Sequence, residues 1–403
     1  MISVAEAIEI VLTQVQPLPK EEVTLGEARN RILGEDVVAD SDLPPFDRSQ
    51  MDGYAVRAAD TCNAPVRLRI AGESAAGRGW HHELGEGTAV RIMTGAPVPA
   101  GADSVQQVEL TLELDDGTVV EILQPVAPGR SIVTRGSEIR TGQIVLRAGE
   151  VIDAAAVAVL ASFGYARVKV GRRPRVSIVA TGSELVPVTA KPGQDQIRDS
   201  NNNSISAYAA VAGAVVKQLP LAGDDTELLK RQFASAAEHS DVVISSGGVS
   251  VGAYDFTKAA LKDLGAQFFF EKVALRPGKP IVFARLPNGT IVFGLPGNPV
   301  SVSVTYNLFA RTAILAMQGA RETELQQETA VLEKDLRGSA DRECYLPAEL
   351  STSDDGKLKA LPLKWGGSSD FIAFARATAL IIVPTGCERM AAGAIVKVVR
   401  IPR

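Results

Sequence analysis

Asp241-Val242-Val243-Ile244-Ser245-Ser246-Gly247-Gly248-Val249-Ser250-Val251-Gly252 is an apolar run that ends abruptly in hydroxyls and glycines. Its first half is β-branched and shows no polar alternation. Such a segment reads as a strand buried on both faces, which is how strands of helix-covered parallel sheets look. Outward from it the texture repeats. Val176 to Ala180 and Thr290 to Phe293 are further strands, and helix-length segments lie between and beside them: one within Ser204 to Gln218, one over Thr226 to His239, and a long apolar one over Pro299 to Met317. Strand and helix in alternation predict a central doubly wound, mostly parallel α/β sheet.

The flanks differ. Ser3 followed by Glu6 is a capping box, and Val4, Ala7, Ile8, Val11, Leu12 and Val15 recur at helical spacing, so an amphipathic helix is expected up to Pro17 and Pro19. From about Asp40 to Glu150 short runs such as Val66 to Ile70 and Thr118 to Leu123 are broken by Asp115-Asp116-Gly117 and Pro128-Gly129. That region reads as an inserted, mostly β lobe. Beyond Gly319 and the polar run Arg321 to Glu328, short segments such as Ala379 to Val383 and Ile395 to Val399 read as a small β-barrel or sandwich.

The chain has 403 residues, more than one ordinary core supports, and roughly two to four domains are expected. Forty-two Lys and Arg against 47 Asp and Glu leave a net charge of −5. That balance offers no global field for nucleic acid or an anionic membrane, and neither partner is expected. Hydrophobic residues at 46% and charged residues at 22% suit several packed cores and exclude a disordered chain. Val151 to Gly164, nearly apolar, contains Asp153 and falls short of the ~18 to 20 residues a bilayer requires. Met1-Ile2-Ser3-Val4-Ala5-Glu6 lacks the basic start of a secretory signal, so the cytoplasm is the expected address. Cys62, Cys344 and Cys387 have no paired spacing, which argues against a disulfide framework or structural zinc. His81, His82 and His239 form no ligand pattern. Any bound metal is expected to be a hard ion held by carboxylates.

Ligands of open parallel sheets bind beyond the carboxyl ends of the strands, and four loops there stand out. Thr181-Gly182-Ser183-Glu184 puts a carboxylate just past a strand, although Thr181 and Glu184 are equally spaced as a capping box. Ser245 to Gly252 supplies glycines and hydroxyls that let a phosphate approach the backbone. Gly247 and Gly252 match the outer glycines of a P-loop, but Ala253-Tyr254 stands where the Lys-Ser/Thr pair should follow, which excludes an ordinary nucleotide triphosphatase; a Rossmann fingerprint fails too, for no Gly-x-Gly-x-x-Gly follows a strand here. Asp255 either holds Mg²⁺ or caps the helix containing Thr257 to Leu264. Leu275-Arg276-Pro277-Gly278-Lys279-Pro280 sets two fixed charges around a rigid turn, a fork for an oxyanion or phosphate unless it is a solvated basic turn. Gly294-Leu295-Pro296-Gly297-Asn298-Pro299-Val300-Ser301 joins strand to helix, with Asn298 as N-cap, Pro299 as first helical residue and an anion-binding helix N-terminus as a compatible use. Asp224-Asp225 offers metal-binding carboxylates or a helix start. Phosphate-suited turns after successive strands converge on one place, which implies a phosphorylated, nucleotide-like ligand.

Pro45-Phe46-Asp47-Arg48-Ser49-Gln50-Met51-Asp52-Gly53-Tyr54-Ala55-Val56 and Arg91-Ile92-Met93-Thr94-Gly95-Ala96-Pro97-Val98-Pro99 stand in series with those four loops. Together they resemble the MoeA family of molybdopterin molybdenumtransferases, to which the C-terminal region of gephyrin also belongs. The resemblance runs from the first helix to the C-terminal β region. It implies that adenylylated molybdopterin and molybdate become molybdenum cofactor and AMP, with Mg²⁺ or a similar ion. It also implies an elongated homodimer whose cleft joins the α/β domain of one subunit to the inserted lobe of the other. The expected domains are residues 1–18 and 172–320 (molybdopterin-binding α/β), 19–39 and 141–171 (elongated linker), 40–140 (inserted mostly β lobe) and 321–403 (C-terminal β-barrel).

By position in the family motifs, the resemblance implies catalytic roles for Asp52, Thr94, Glu184, Asp255, Arg276 and Lys279. Substrate binding falls to Thr181, Gly182, Ser246, Gly247, Gly248, Ser250, Pro296, Gly297, Asn298, Pro299, Ser301, Glu138, Arg342 and Ser369, and metal binding to Asp224, Asp255 and Glu184. Asp52 and Thr94 by themselves read only as Asp-Gly and Thr-Gly turns. Holding a dianionic oxyanion beside a dithiolene, and directing attack on a phosphoanhydride, needs positioning and charge neutralisation more than a side-chain nucleophile; the lack of a Ser-His-Asp or Cys-His set agrees. Two residues depart from the family pattern. Arg276 stands where many members have Lys, and Glu138 where Asp is common, and neither change removes a charge. A molybdopterin adenylyltransferase, which would use ATP, is the competing enzyme reading; the inserted lobe and C-terminal domain weigh against it. A non-catalytic molybdopterin-binding scaffold is the other, and Asp52, Glu184, Asp255 and Lys279 together weigh against that. Expected partners are molybdopterin adenylyltransferase and molybdoenzyme-maturation proteins.

Overall fold

The computed structural model describes residues 1–248 and 256–402. The chain forms two compact units: Met1–Glu35 with Ala148–Val157 and Arg167–Arg403, and Asp36–Arg147 with Ala158–Ala166. The first opens with α1, Val4–Gln14. Glu6 N–H donates to Ser3 Oγ at 3.2 Å and Ser3 N–H to Glu6 Oε2 at 2.7 Å, the capping box read from the sequence. Val4, Ala7 and Val11 are buried on one side of this helix.

The second unit carries the β lobe. Gly53–Val56 (β1), Val66–Ser74 (β2), Thr88–Ile92 (β3), Ser104–Gln107 (β4), Thr111–Leu114 (β5) and Val119–Ile122 (β6) form one sheet in the order β4-β1-β3-β2-β6-β5. Only β2 and β3 run parallel. Both faces are covered. Tyr54, Leu68, Val120 and Ile122 pack in one cluster, and Ala55, Val90, Ile92 and Val105 in another.

In the first unit Arg175–Ala180 (β7), Val215–Gln218 (β8), Val242–Ser246 (β9), Gln267–Lys272 (β10), Pro280–Arg285 (β11) and Ile291–Leu295 (β12) form a sheet in the order β8-β7-β9-β12-β11-β10. β8, β7, β9 and β12 are mutually parallel, whereas β11 and β10 add an antiparallel edge. The helices are Asn201–Val211 (α2), Thr226–His239 (α3), Phe256–Asp263 (α4) and Pro299–Met317 (α5). Alternation along each strand divides the core. Val242, Ile244, Ile291 and Phe293 face one cluster with α1, α2 and α5; Val243 and Val292 face the other with Leu229 and Phe233 of α3 and Leu261 of α4. The sheet is therefore doubly wound.

By length and hydropathy α5 is apolar enough to cross a membrane, yet it is 83% buried within the protein and acts as a core helix. Two of its buried polar side chains bond back to the preceding turn: Thr305 Oγ1 donates to the Ser301 carbonyl at 2.7 Å and Asn307 Nδ2 to the Ser303 carbonyl at 2.8 Å, whereas the buried Tyr306 hydroxyl has no partner among the described residues. Such back-bonding slightly destabilises and often bends helices, and here a π turn occupies Tyr306–Ala310.

Gln327–Leu332 (β13), Glu343–Thr352 (β14), Leu358–Pro362 (β15), Ala379–Val383 (β16) and Ile395–Arg400 (β17) close into a five-stranded barrel, β14-β15-β13-β17-β16 and back to β14. Leu332, Leu346, Ile381 and Val398 fill its interior, while Tyr345, Leu380 and Val399 on alternate positions join the α/β core. That shared packing fixes the barrel beside the carboxyl ends of the sheet.

Candidate functional site

After β7 the chain does not start a helix, so the capping-box reading of Thr181 and Glu184 is overturned. Thr181 Oγ1 donates instead to the Gly223 carbonyl, and Thr181 N–H to the Ser246 carbonyl at 3.1 Å. Ser183 donates to Asp224 Oδ2 from its N–H at 3.2 Å and its hydroxyl at 2.6 Å. The Glu184 carboxylate lies over Gly182, where a Cβ would come within 2.6 Å of it. The acidic pair divides its labour: Asp225 caps α3 by accepting from Leu228 N–H at 3.0 Å, and Asp224 holds the Ser183 turn.

After β9, Gly247 and Gly248 take positive φ of 86° and 64°. A Cβ on Gly247 would meet the Thr181 carbonyl oxygen at 2.4 Å, and one on Gly248 the Thr257 hydroxyl at 2.7 Å. Only glycine fits a left-handed backbone pressed against its neighbours. Ser246, 1% exposed, has no partner for its hydroxyl among the described residues. Ser250 and Asp255 lie outside the described residues.

The basic turn is anchored rather than freely solvated. Gly278 at φ 115° packs against Thr305, and Leu275–Arg276 pairs in register with Glu343–Cys344 of β14. Arg276 Nη1 donates to the Gly338 carbonyl at 3.2 Å and Arg342 Nε to Asp341 at 3.2 Å. Lys279 is exposed and makes no ion pair among the described residues. After β12, Asn298 occupies the N-cap position of α5 and Pro299 the first helical position, but the Asn298 side chain does not cap. It donates to Ser368 Oγ at 2.8 Å, so its capping role as read from the sequence is corrected.

All of these loops face one cleft of about 1340 Å³. Thr181, Gly182, Glu184, Asp224, Ser246, Gly247, Gly248, Arg276, Lys279, Pro296, Gly297, Asn298, Pro299, Ser301, Arg342 and Ser369 line it. Sequence reasoning missed Asp199, Asn201, Trp365 and Ser368, which line it too. Asp199 is 5% exposed, and burial holds its carboxyl above the usual carboxylate range although it accepts from Asn202 N–H at 3.0 Å. The sequence signal for it was Asp199 preceding an Asn-rich helix start.

Asp52, Thr94 and Glu138 lie in the other unit. Thr94 donates to Asp52 Oδ1 from its N–H at 2.7 Å and from its hydroxyl at 2.8 Å. These bonds, the backbone one first, hold the Asp52 carboxyl below its ordinary 3.8. A lowered folded value means the stabilisation from Asp52 is present above the ordinary value and is lost as pH falls through the lowered one. In Thr94→Val only the hydroxyl bond goes, so Asp52 is expected to titrate higher than in the unaltered protein yet still below 3.8, as carboxyl NMR shifts would report. Glu138 pairs with Arg48 at 3.3 Å on the surface.

Fold and cleft define a multidomain α/β protein whose cleft, at the carboxyl ends of a doubly wound sheet, is lined by backbone amides, hydroxyls and fixed charges. A molybdopterin molybdenumtransferase of Staphylococcus aureus is 36% identical over 402 residues, covering 99% of this chain and 95% of that protein, and its counterpart in Staphylococcus epidermidis is 35% identical over the same length. The chain belongs to the molybdopterin molybdenumtransferase family. Residues 2–164 match the model of the MoeA N-terminal region (domain I and II), 177–316 a probable molybdopterin binding domain, and 329–401 the MoeA C-terminal region (domain IV). Among solved structures, a molybdopterin biosynthesis MoeA protein from Pyrococcus horikoshii OT3 superposes with TM-score 0.86 at 28% identity over 99% of this chain and 100% of that one.

Proposed function

We propose that this protein inserts molybdate into adenylylated molybdopterin, releasing AMP and forming molybdenum cofactor. The observation that carries this reading is the convergence of three loops suited to anions on one cleft at the carboxyl ends of a doubly wound sheet. The backbone around Gly247 and Gly248, with Asn298 and Ser301, holds the pyrophosphate link between pterin and AMP. Arg276, Lys279 and Arg342, with the Ser369 hydroxyl, hold the molybdate dianion beside it. Fixed donors and charges placed in advance stabilise the charge that develops as the phosphoanhydride breaks.

Glu184 and Asp224 are hard oxygen donors on this cleft, and no group of three His, Cys, Asp or Glu that could hold a metal occurs among the described residues. That donor set fits Mg²⁺, which takes one or two carboxylates plus waters and substrate phosphates, and it does not fit a tight all-protein site. When bound, Mg²⁺ would offset phosphate charge on the departing AMP. We propose further that the protein acts in the cytoplasm as a homodimer, the inserted lobe of one subunit serving the α/β cleft of its mate through Asp52, Thr94 and Glu138. It takes its substrate from a molybdopterin adenylyltransferase and delivers product to molybdoenzyme-maturation proteins.

The test is substrate choice. Given ATP and free molybdopterin, the protein is expected to form no pyrophosphate, measured by a coupled phosphate assay. Pyrophosphate at a rate matching molybdenum insertion would make it an adenylyltransferase instead.

A further inference from the structure

The turn from β12 into α5 is held by three tethers. Gly247 N–H donates to the Leu295 carbonyl at 3.1 Å. From the first turn of α2, Asn201 Nδ2 donates to the Gly297 carbonyl at 2.7 Å. On the barrel side, Asn298 Nδ2 donates to Ser368 Oγ at 2.8 Å and Val300 N–H to the Ser368 carbonyl at 3.0 Å. Pro296 and Pro299 have no N–H to give. What remains is unpaired: among the described residues the N–H groups of Gly297, Asn298 and Ser301 have no acceptor, and the Ser301 hydroxyl, on a cleft-lining residue 4% exposed, has no partner either.

A trans peptide points its carbonyl and its N–H in opposite directions. The bond that fixes the Gly297 carbonyl therefore fixes the direction of the Asn298 N–H as well. Asn201 is well placed to impose that direction, being 9% exposed and following Asp199, whose carboxylate accepts from Asn202 N–H and pins the start of α2.

We propose that Asn201 is a positioning residue for the transfer reaction: by holding the Gly297 carbonyl it aims the Asn298 N–H, alongside the N–H and hydroxyl of Ser301, at a phosphate oxygen of the adenylylated substrate. This rests on the function proposed above, and the role given to Asn201 runs through the loop it holds. Molybdate is assigned to the basic turn, to which Asn201 makes no hydrogen bond among the described residues.

Two variants test it in the full-length protein. Asn201→Ser keeps a residue favoured at helix starts but is too short to reach Gly297. Asn201→Asp keeps the shape and, when ionised, removes the donor. Both are assayed for molybdate-dependent AMP release, for KM of each substrate and for Tm. The expected result is a loss of roughly tenfold to a hundredfold in kcat/KM for the pterin substrate, with KM for molybdate unchanged and Asn201→Ser melting within a few degrees of the unaltered protein. Unchanged kcat and pterin KM in both variants would overturn the proposal. So would a parallel rise in both KM values together with a fallen Tm, which marks mere structural support. If the unaltered protein released no AMP, the proposed function would fail first, and binding of AMP alone to it and to Asn201→Ser would then decide: equal affinity refutes the role of Asn201, and affinity at least tenfold weaker supports it.

Discussion

Lys279→Ala is expected to lower molybdate-dependent AMP release by about a hundredfold to a thousandfold, the usual loss when one pre-positioned group facing a developing anion is removed. The size follows from its surroundings. Lys279 is exposed, faces the cleft and makes no ion pair among the described residues, so its charge is available to a ligand and is not consumed in holding the fold. For the same reason stability should change by no more than about 0.5 kcal/mol. Steady-state kinetics and a melting curve on one preparation separate the two effects. Arg276→Lys provides the contrast: it keeps the charge and loses only the guanidinium bond to the Gly338 carbonyl, so activity should fall far less. Equal losses in both variants would mean that the turn responds to any change, whatever the charge.

Gly247→Ala is expected to disable the protein by a different route. Its φ of 86° lies in the left-handed region, and the added Cβ would fall 2.4 Å from the Thr181 carbonyl oxygen, a backbone atom that cannot swing aside. A strained non-glycine residue there costs about 1–3 kcal/mol, and relief requires β7 and β9 to separate at the ends where the cleft begins. Displacing a phosphate-binding loop by about 1 Å is enough to lower turnover roughly a hundredfold. Gly289→Ala is the control. It too has positive φ, at 93°, but no atom lies within 4 Å of its Cβ position, so it should lose some stability and keep its activity. Denaturant unfolding and AMP release on the two variants check this.

The parts of the fold that were legible in the sequence are those set by local pattern. The run Val242 to Ser245 was readable because both of its faces are buried, and α1 because its capping box and apolar spacing agree. β10 and β11 were not readable: Phe268-Phe269-Phe270 shows no alternation, and Pro280 at a strand start resembles a turn. Their antiparallel addition to a parallel sheet is decided by pairing of β11 with β12 and of β10 with β11, which local spacing does not encode. The site divides the same way. Glycines with special backbone needs and paired cations announce themselves in sequence, and these loops do meet in one cleft. Asn298 was read as a cap because Asn before Pro at a helix start usually is one; its actual partner, Ser368, comes from the barrel and has no sequence signature. Asp199 and Asn201 were missed because a helix start is the ordinary explanation of such residues. The spacing of Thr181 and Glu184 suggested a capping box only because the absence of a following helix is a tertiary fact.

The proposed reaction is tested most directly in a single turnover: protein in excess over adenylylated molybdopterin, Mg²⁺ present, molybdate added last, with AMP and pterin-bound molybdenum followed together. The expected result is AMP release that begins on addition of molybdate and equals the molybdenum inserted at every time point. AMP release at the same rate without molybdate, or tight binding of the adenylylated pterin with neither product formed, would contradict it.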